Sequence, residues 1–432
     1  MVKDLSELSA WLERFAVVNA SGTMTHLGAS RVSDDVADVV RASLPRFVDI
    51  DRLQAEASRV IAHATGAEAG CVTASAAAGI CISVAAAMTG DDVGAAQALP
   101  QPASMRGSGV VIQAGHVVDY GGTIHQNLRL VGGRPIEVGT VSGVHADQLA
   151  FAVRDPDVVA GVFVISHHTV QSEQLDLRTF AEICHEHDTV VIVDAASEYD
   201  LRTFVEAGAD LVVYSAHKFL GGPTAGIVAG REDLVRAAYV HQTVGVGRVM
   251  KVGKEGIVGA MAALLRWNAI DHGELHEHEY RRLARLRDGL AARPELTVEE
   301  VPDPTGNPIT RLRVRFVGAR PDAVAWLASE LKAGTPAVFV RDHHVDNGFF
   351  DLDPCNLDDD EAETLLARVQ RVLDSGSPPT IGEDEARPLG PRRSRYDDRQ
   401  QPRVDEDRVP FLIPRSPDRQ GRFANWPHGE RS

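Results

Sequence analysis

Between Val190 and Gly230 the chain repeats one pattern, a short run of apolar, mostly β-branched residues followed by polar or glycine-rich residues. The runs VVIV, LVVY and GIVA are continuous rather than alternating in their apolar character. Such runs are typical of strands that are buried on both faces, in mostly parallel sheets covered by helices. This stretch therefore predicts an α/β fold built on a parallel sheet.

Seven such runs occur along the chain, and helix-like segments such as Thr179–His187 and Glu232–Tyr239 separate most of them. We therefore predict a mostly parallel, seven-stranded sheet. Its strands are expected at Cys71–Thr73, Val110–Gln113, Pro135–Val138, Val158–Ser166, Val190–Val193, Leu211–Ser215 and Gly226–Ala229.

Changes in pattern along the chain predict four segments. Residues 1–45 form an N-terminal arm, residues 46–270 a large domain that contains the sheet, and residues 271–375 a smaller α+β domain. Residues 376–432 are rich in proline and arginine, so we expect this tail to be extended or disordered. The smaller domain is expected to contain strands near Leu312–Phe316 and Ala337–Val340 and helices near Asp322–Leu331 and Asp359–Leu373.

The charge balance limits the classes of partner. The chain has 44 basic and 61 acidic residues, a net charge of −17, which repels nucleic acid. No apolar run is long enough to cross a membrane, and acidic residues occur early in the first twenty, so we expect a cytoplasmic protein without a membrane partner. Four cysteines without CxxC spacing indicate neither a zinc knuckle nor a disulfide framework.

A lysine and an aspartate follow two successive predicted strands. Asp194 comes after VVIV and Lys218 after LVVYSAH, so both are expected at the crevice outside the carboxyl ends of the strands. Lys218 is one of only five lysines. Pyridoxal phosphate needs a lysine amine for a Schiff base and a carboxylate for its ring nitrogen, and Ser215 and His217 could bind its phosphate. The alternative is a surface lysine on an ordinary loop.

Several motifs resemble known enzymes. SAHK followed by GGPTAG resembles the lysine loop of the class-V aminotransferase and cysteine desulfurase group, within the pyridoxal-phosphate enzymes of fold type I. Over roughly residues 15–375 the chain is similar to the family of bacterial selenocysteine synthase and D-glucosaminate-6-phosphate ammonia-lyase. The segments that carry this second resemblance are ASGTMTHLGAS, TGAEAGCVTASAAAGI, YGGTIHQNLRLVGGRPIEVGT and GVGRVMKVGKEGIVG.

The resemblance implies roles for residues around the cofactor. Lys218 matches the Schiff-base lysine and Asp194 the partner of the ring nitrogen. Ser75, Ala76 and Ala77 match a segment whose backbone N–H groups bind the cofactor phosphate. Ser75 is also a potential N-cap of an alanine-rich helix, and a helix N-terminus suits an anion. His116 matches a residue that stacks on the cofactor ring, although a core histidine is an equal alternative.

Further residues are candidates for substrate binding. Arg248 and Lys251 could hold a carboxylate or phosphate, with a solvated basic face as the alternative. His168 follows a predicted strand and could line the crevice. His26 and Thr23 match a segment that the resemblance places at an active site of the same or a neighbouring subunit. The histidine pairs lack the spacing of a metal site, so we expect no metal.

Together these features predict a pyridoxal-phosphate-dependent lyase that acts on a small anionic amino acid. It would remove the α-proton, eliminate a group from the β-carbon and release ammonia. We also expect a homodimer or a larger homo-oligomer. A racemase or epimerase and an aminotransferase would share the first steps and remain alternatives. A selenium transferase and a non-catalytic paralogue that binds the cofactor are disfavoured, the first by the acidic charge.

Overall fold

The computed structural model describes residues 4–101, 106–318 and 321–376. The tail predicted to be extended lies outside these residues from residue 377 onward. In chain order the strands are β1 (Val17–Ala20), β2 (Ala69–Thr73), β3 (Gly109–Gln113), β4 (Arg134–Val138), β5 (Val158–Val164), β6 (Val190–Asp194), β7 (Leu211–Ser215), β8 (Gly226–Gly230), β9 (Leu296–Pro302), β10 (Thr310–Phe316), β11 (Ala337–Val340) and β12 (Phe350–Leu352). The helices are α1 (Leu5–Leu12), α2 (Asp34–Ser43), α3 (Ile50–Thr65), α4 (Ala76–Thr89), α5 (Val93–Ala98), α6 (Ile124–Leu130), α7 (Ala146–Ala152), α8 (Leu177–His185), α9 (Thr203–Glu206), α10 (Glu232–Val244), α11 (Lys254–Ala269), α12 (His272–Ala291), α13 (Pro321–Ala333) and α14 (Asp359–Ser375).

The central sheet has seven strands in the order β2-β8-β7-β6-β5-β3-β4. Its neighbours are parallel except at β8, which runs antiparallel to both β2 and β7. Six strands contain a predicted apolar run in full, and β5 ends at Val164, two residues before the end of the run predicted at Val158–Ser166. The predicted mostly parallel, seven-stranded sheet is confirmed. Because β8 is reversed, its first residue lies at the same edge of the sheet as the last residues of β2, β6 and β7.

Helices cover both faces of this sheet. Side chains of α3, α7, α8 and α11 pack on one face, and side chains of α4, α5, α6 and α10 pack on the other. Every residue of β7 is buried, and α4 is buried from Ala78 to Thr89, in keeping with its uniformly apolar sequence. The continuous apolar runs therefore reflect burial on both faces.

The C-terminal part contains a second, smaller sheet. It is antiparallel, in the order β12-β10-β9, and helices α12, α13 and α14 pack around it. Strand β11 pairs instead with β1 in a parallel two-stranded sheet that links Val17 to Ala337 and Ala20 to Val340. Residues 17–20 of the predicted N-terminal arm therefore pack with the C-terminal part, while the four-segment division of the chain stays a prediction.

In the residues that the structure describes, no helix has both the length and the apolar character needed to cross a bilayer.

Candidate active site

Lys218 and Asp194 meet at the edge of the sheet where the parallel strands end. Asp194 is the last residue of β6, and Lys218 follows the neighbouring β7 by three residues. Each acts on the pKa of the other, because Asp194 raises the pKa of Lys218 and Lys218 lowers that of Asp194. The structure thus brings together the lysine and the carboxylate that the sequence predicted to bind the cofactor.

Asp194 is a buried carboxyl group, with 2% of its surface exposed. Its Oδ1 accepts a hydrogen bond from the Ala196 N–H at 3.1 Å, and the Tyr120 hydroxyl also donates to this carboxyl group. Burial raises the pKa of Asp194, and the attraction of Lys218 and these two hydrogen bonds oppose that rise. A cation placed against Asp194 would hold it ionised, as the protonated ring nitrogen of the expected cofactor does.

Lys218 is partly buried in the loop after β7. Its Nζ donates a hydrogen bond to Ser197 Oγ at 2.5 Å. Desolvation lowers the pKa of Lys218, and the positive charge of Arg341 lowers it further, while Asp194 and Glu198 act in the opposite direction. A lysine held in this way loses its proton more readily than one in water, as a nucleophile or base must.

Polar groups at the same edge form a cradle for an anion. Ser75 caps α4, its Oγ accepting a hydrogen bond from the Ala78 N–H at 3.1 Å, so Ala76 and Ala77 form the first turn of the helix. The first residue of β8, Gly226, lies directly against Ser75, since a Cβ there would be 2.3 Å from the Ser75 carbonyl oxygen. The positive end of α4 therefore lies beside the end of β7.

His217 completes this cradle. Its Nδ1 lies 3.0 Å from Ser215 Oγ, while its Nε2 is buried and has no hydrogen-bond partner among the described residues. A buried polar nitrogen without a partner costs free energy, and a phosphate oxygen would satisfy it. The cradle, Lys218 and Asp194 therefore fit the phosphate, the aldehyde carbon and the ring nitrogen of pyridoxal phosphate.

Glu198 is an acid beside Lys218 that the sequence reasoning missed. It is 7% exposed and accepts a hydrogen bond from Thr305 Oγ1 at 3.1 Å. Burial, with a further contribution from Asp303, raises the pKa of Glu198 to about 8, and Thr305 and Lys218 oppose the rise. Glu198 is therefore largely protonated at neutral pH. Its place four residues after Asp194 in DAASE was the one available signal.

Arg341 is a second residue that the sequence reasoning missed. It follows β11, is 9% exposed, and its Nη1 donates to the Ser21 carbonyl at 3.3 Å, while Nη2 contacts His167 Nε2. In the described part of the chain it forms no ion pair with a carboxylate. The nearby acids pair elsewhere, Asp303 and Asp353 with Arg311 at 2.7 Å each. Arg341 therefore remains available for an anion.

His116 lies in the core. It is 3% exposed, its Nδ1 accepts a hydrogen bond from the Val164 N–H at 3.2 Å, and its ring meets the Phe163 ring edge to face, with centroids 4.5 Å apart. Burial lowers the pKa of His116 to about 4. These contacts favour the core alternative that the sequence left open, and stacking on the cofactor stays a prediction.

The remaining candidates are divided between two places. Arg248 and Lys251 are exposed, at a 3₁₀ helix that packs on α4 and α10, and in the described structure neither contacts Lys218, Asp194 or Arg341. His168 is exposed next to His167, and its pKa is affected by both Arg341 and Lys218. The structure therefore brings His168, and not the other two, to the site of this chain.

The N-terminal candidates lie near the end of β11. The His26 ring lies against Phe339 with centroids 6.3 Å apart, and Thr23 is partly buried beside Gly22, which packs on Asp353. Among the described residues, no group of three or more histidines, cysteines or acids is arranged to hold a metal ion.

The chain is similar to several known proteins. The family model of SelA, L-seryl-tRNA selenium transferase, matches residues 17–277. A 5′-C-glycyluridine monooxygenase-decarboxylase from a Streptomyces species is 36% identical over 372 residues, 85% of this chain and 92% of the relative. A D-glucosaminate-6-phosphate ammonia lyase from Salmonella typhimurium is 34% identical over 359 residues, 83% of this chain and 95% of the relative. The solved structure of a D-glucosaminate-6-phosphate ammonia-lyase has a TM-score of 0.76 at 32% identity, covering 87% of this chain and 99% of that one.

Proposed function

Because the chain belongs to the SelA family and has the fold of the fold-type-I pyridoxal-phosphate enzymes, we propose that it releases ammonia from a small anionic amino acid by β-elimination. It is an ammonia-lyase-like enzyme, and its cofactor is pyridoxal 5′-phosphate. The observation that carries the proposal is the meeting of Lys218, Asp194 and Glu198 at one edge of the sheet. Elimination needs a base, an acid and an electron-withdrawing cofactor, and a carboxylate beside the ring nitrogen would keep that cofactor protonated.

Four parts of the chain would hold the cofactor. The N-terminus of α4 and His217 would bind its phosphate, Asp194 its ring nitrogen, and Lys218 its aldehyde carbon as a Schiff base. The bound cofactor withdraws electrons from the substrate and makes the α-proton acidic. Tyr120, through its hydrogen bond to Asp194, would keep that carboxyl group oriented.

Lys218 would act as the base. Burial lowers the pKa of Lys218, so the amine loses its proton more readily, and Nζ without that proton can accept the α-proton of a bound substrate. Ser197, which accepts a hydrogen bond from Nζ, would fix the position of the free amine once a substrate has displaced it from the cofactor.

Glu198 would act as the acid. A β-hydroxyl group leaves as water only when it receives a proton, and a protonated carboxyl group beside Lys218 can donate it. The pKa of about 8 keeps Glu198 protonated at neutral pH. Thr305, which donates to Glu198 at 3.1 Å, orients the carboxyl group.

Arg341 would bind the α-carboxylate of the substrate. Its guanidinium group has no carboxylate partner in the described residues, and the planar fork matches a carboxylate in two parallel hydrogen bonds. Burial of Arg341 strengthens this pairing, because less water screens the charges.

The homo-oligomeric state and the cytoplasmic location expected from the sequence are part of the proposal. Between Arg248 and Lys251, the Val249 side chain is 90% exposed, and Phe47 is fully exposed as well. Large apolar side chains at a surface support burial against a partner subunit. In such an assembly Arg248 and Lys251 could still contact a substrate, in the site of the neighbouring subunit.

Product analysis tests the proposed reaction. The purified holoenzyme is incubated with D-glucosaminate 6-phosphate and with a panel of smaller β-hydroxy amino acids. We expect ammonia and a 2-keto product in equal amounts from at least one of them. Recovery of the inverted amino acid, or transfer of the amine to a keto acid without free ammonia, would identify a racemase or an aminotransferase instead.

A second candidate is oxidative decarboxylation of an amino acid. The observation in its favour is the 36% identity to the monooxygenase-decarboxylase, which extends over 92% of that relative. The two reactions differ in what they consume, because oxidative decarboxylation takes up O₂ and releases CO₂. An oxygen electrode in the same incubations separates them, and ammonia release under argon at an unchanged rate favours the lyase.

A further inference from the structure

Five histidines from three segments lie together beside the site, and we call them the histidine cluster. The first segment is the 3₁₀ helix Thr25–Leu27, which contains His26. The second segment follows β5 and the third follows β11, and each of these two contains a pair of adjacent histidines. The members of the cluster are His26, His167, His168, His343 and His344. The pairing of β11 with β1 brings the first and third segments together.

Ring contacts connect three members of the cluster, and electrostatic effects relate the other two to them. The rings of His167 and His168 have centroids 3.9 Å apart, and those of His168 and His343 are 5.9 Å apart. His344 acts electrostatically on both His168 and His343, and His26 acts on His343. Lys218 acts in the same way on His167 and His168, so the cluster borders the reacting amine.

Cations act on the rings of this cluster. They are Arg341, Lys218 and, for His167, Arg311, and the exposed Asp342 is an acid that acts on His343. Tyr120, whose ring centroid is 6.4 Å from that of His168, faces it with an uncharged hydroxyl group. The cluster is therefore a concentration of nitrogen donors beside cations, and those cations have acidic neighbours of their own, Asp194 at Lys218 and Asp353 at Arg341.

We propose that the histidine cluster binds a phosphate monoester dianion at the distal end of the substrate, while Arg341 holds the α-carboxylate. The inference rests on the proposed function and gives a place in this chain to the phosphate group that a substrate such as D-glucosaminate 6-phosphate would carry. It also assigns the phosphate to this cluster, rather than to the exposed pair Arg248 and Lys251. Each imidazole can donate an N–H to a phosphate oxygen, and the neighbouring cations favour a dianion over a neutral group.

Binding of a dianion should take up protons. Burial, followed by the charge of Arg341, lowers the pKa of His168 to about 4 and lowers that of His343 as well, so both are neutral at physiological pH without a ligand. A bound dianion stabilises the protonated rings and raises their pKa. The affinity for a phosphate monoester should therefore increase as the pH falls from about 8.5 to about 6.5, because a monoester with a second pKa of about 6 is still mostly dianionic over that range.

Titration of the holoenzyme with inorganic phosphate tests the site without turnover. Calorimetry in buffers of different ionisation enthalpy should show saturable binding with proton uptake. The variants His168→Gln and His343→Gln should each weaken binding roughly tenfold or more, since each loses a charge-assisted hydrogen bond. His63→Gln, at an exposed histidine of α3, is the matched control and should bind phosphate as the wild type does. Cofactor absorbance and unfolding temperature confirm that each variant is folded.

Two outcomes of this titration would overturn the inference. One is the absence of saturable phosphate binding to the folded holoenzyme. The other is binding that neither cluster variant weakens, which would place the phosphate elsewhere on the protein. The two single variants make the test robust, since a folding defect in one leaves the other to decide.

Kinetics distinguish the phosphate of a substrate from free phosphate. The ratio of kcat/KM for an amino acid with a phosphate ester to kcat/KM for the same amino acid without it should fall roughly tenfold or more in either cluster variant, but not in His63→Gln. An unchanged ratio, with weakened binding of inorganic phosphate, would show that the cluster takes a free anion and would overturn the substrate assignment. If no amino acid is turned over, the proposed function fails, whereas the titration still decides whether the cluster binds phosphate.

Discussion

Lys218 Nζ lies 2.5 Å from Ser197 Oγ, and this hydrogen bond joins the loop after β7 to the loop after β6. Asp194 and Glu198 flank Ser197 in the sequence, and both act on the pKa of Lys218. The amine is therefore held near two buried carboxyl groups in different environments. Asp194 has Lys218 and two hydrogen bonds to stabilise its charge, whereas Glu198 lies near Asp303 and stays protonated. Asp194 therefore suits the role of an electrostatic partner, and Glu198 suits the role of a proton donor.

Asp194→Asn should retain much of the cofactor and lose turnover by about 100-fold or more, because an amide cannot hold the ring nitrogen protonated. Cofactor absorbance and kcat, measured on the same sample, check this. Asp92→Asn is the matched control, because Asp92 is an exposed N-cap of α5 and asparagine caps equally well. A wild-type kcat in Asp194→Asn would refute the electrostatic role.

The pH profile of kcat should fall as pH rises through about 8, since Glu198 must be protonated to act as the acid. Glu198→Gln should abolish that limb and lower kcat by roughly 100-fold or more. Thr305→Val removes a hydrogen bond that lowers the pKa of Glu198, so the limb should move to higher pH. A limb unchanged in both variants would belong to another group.

Arg341→Ala should raise KM for an anionic amino acid roughly 30-fold or more and leave the amount of bound cofactor unchanged, because it leaves the substrate carboxylate unpaired. The matched comparison is Arg248→Ala, which removes an arginine exposed in this subunit. If Arg248→Ala has the larger effect on KM, the substrate carboxylate is instead held by the exposed segment, and the site then requires a second subunit.

Truncation after Ser375, the last residue of α14, should leave folding and cofactor binding intact. The removed residues are rich in proline and charge and are not expected to form a core of their own. Thermal unfolding and cofactor absorbance of the truncated and full-length proteins provide the comparison. Aggregation or loss of the cofactor would show that the tail stabilises the folded enzyme.

The sequence predicted the central sheet well, because each of its strands is buried on both faces and so appears as a continuous apolar run. The pair of Lys218 and Asp194 could be predicted for a related reason, since successive parallel strands end at one edge. Strand β9 was missed. Its sequence LTVEEVP carries two glutamates and leaves part of its length exposed, so no continuous apolar run marks it.

Arg341 and the histidine cluster could not be predicted as a site from single-sequence patterns. Arg341 reaches the Ser21 carbonyl across 320 positions, through the pairing of β1 with β11, and it reaches His167, which follows β5, across 174. Nothing local in the sequence marks a contact of this range. Glu198 was missed for a different reason. A glutamate is an ordinary residue for a loop, and its hydrogen-bond partner Thr305 is 107 positions away.

Reduction of the native holoenzyme with borohydride, followed by peptide mapping, tests most directly whether this edge of the sheet is the cofactor site. The account predicts a yellow protein, with pyridoxal phosphate fixed on the peptide that contains Lys218 and no fixation in Lys218→Ala. Fixation on a peptide containing Lys251 or Lys254 instead, with Lys218 unlabelled, would contradict it.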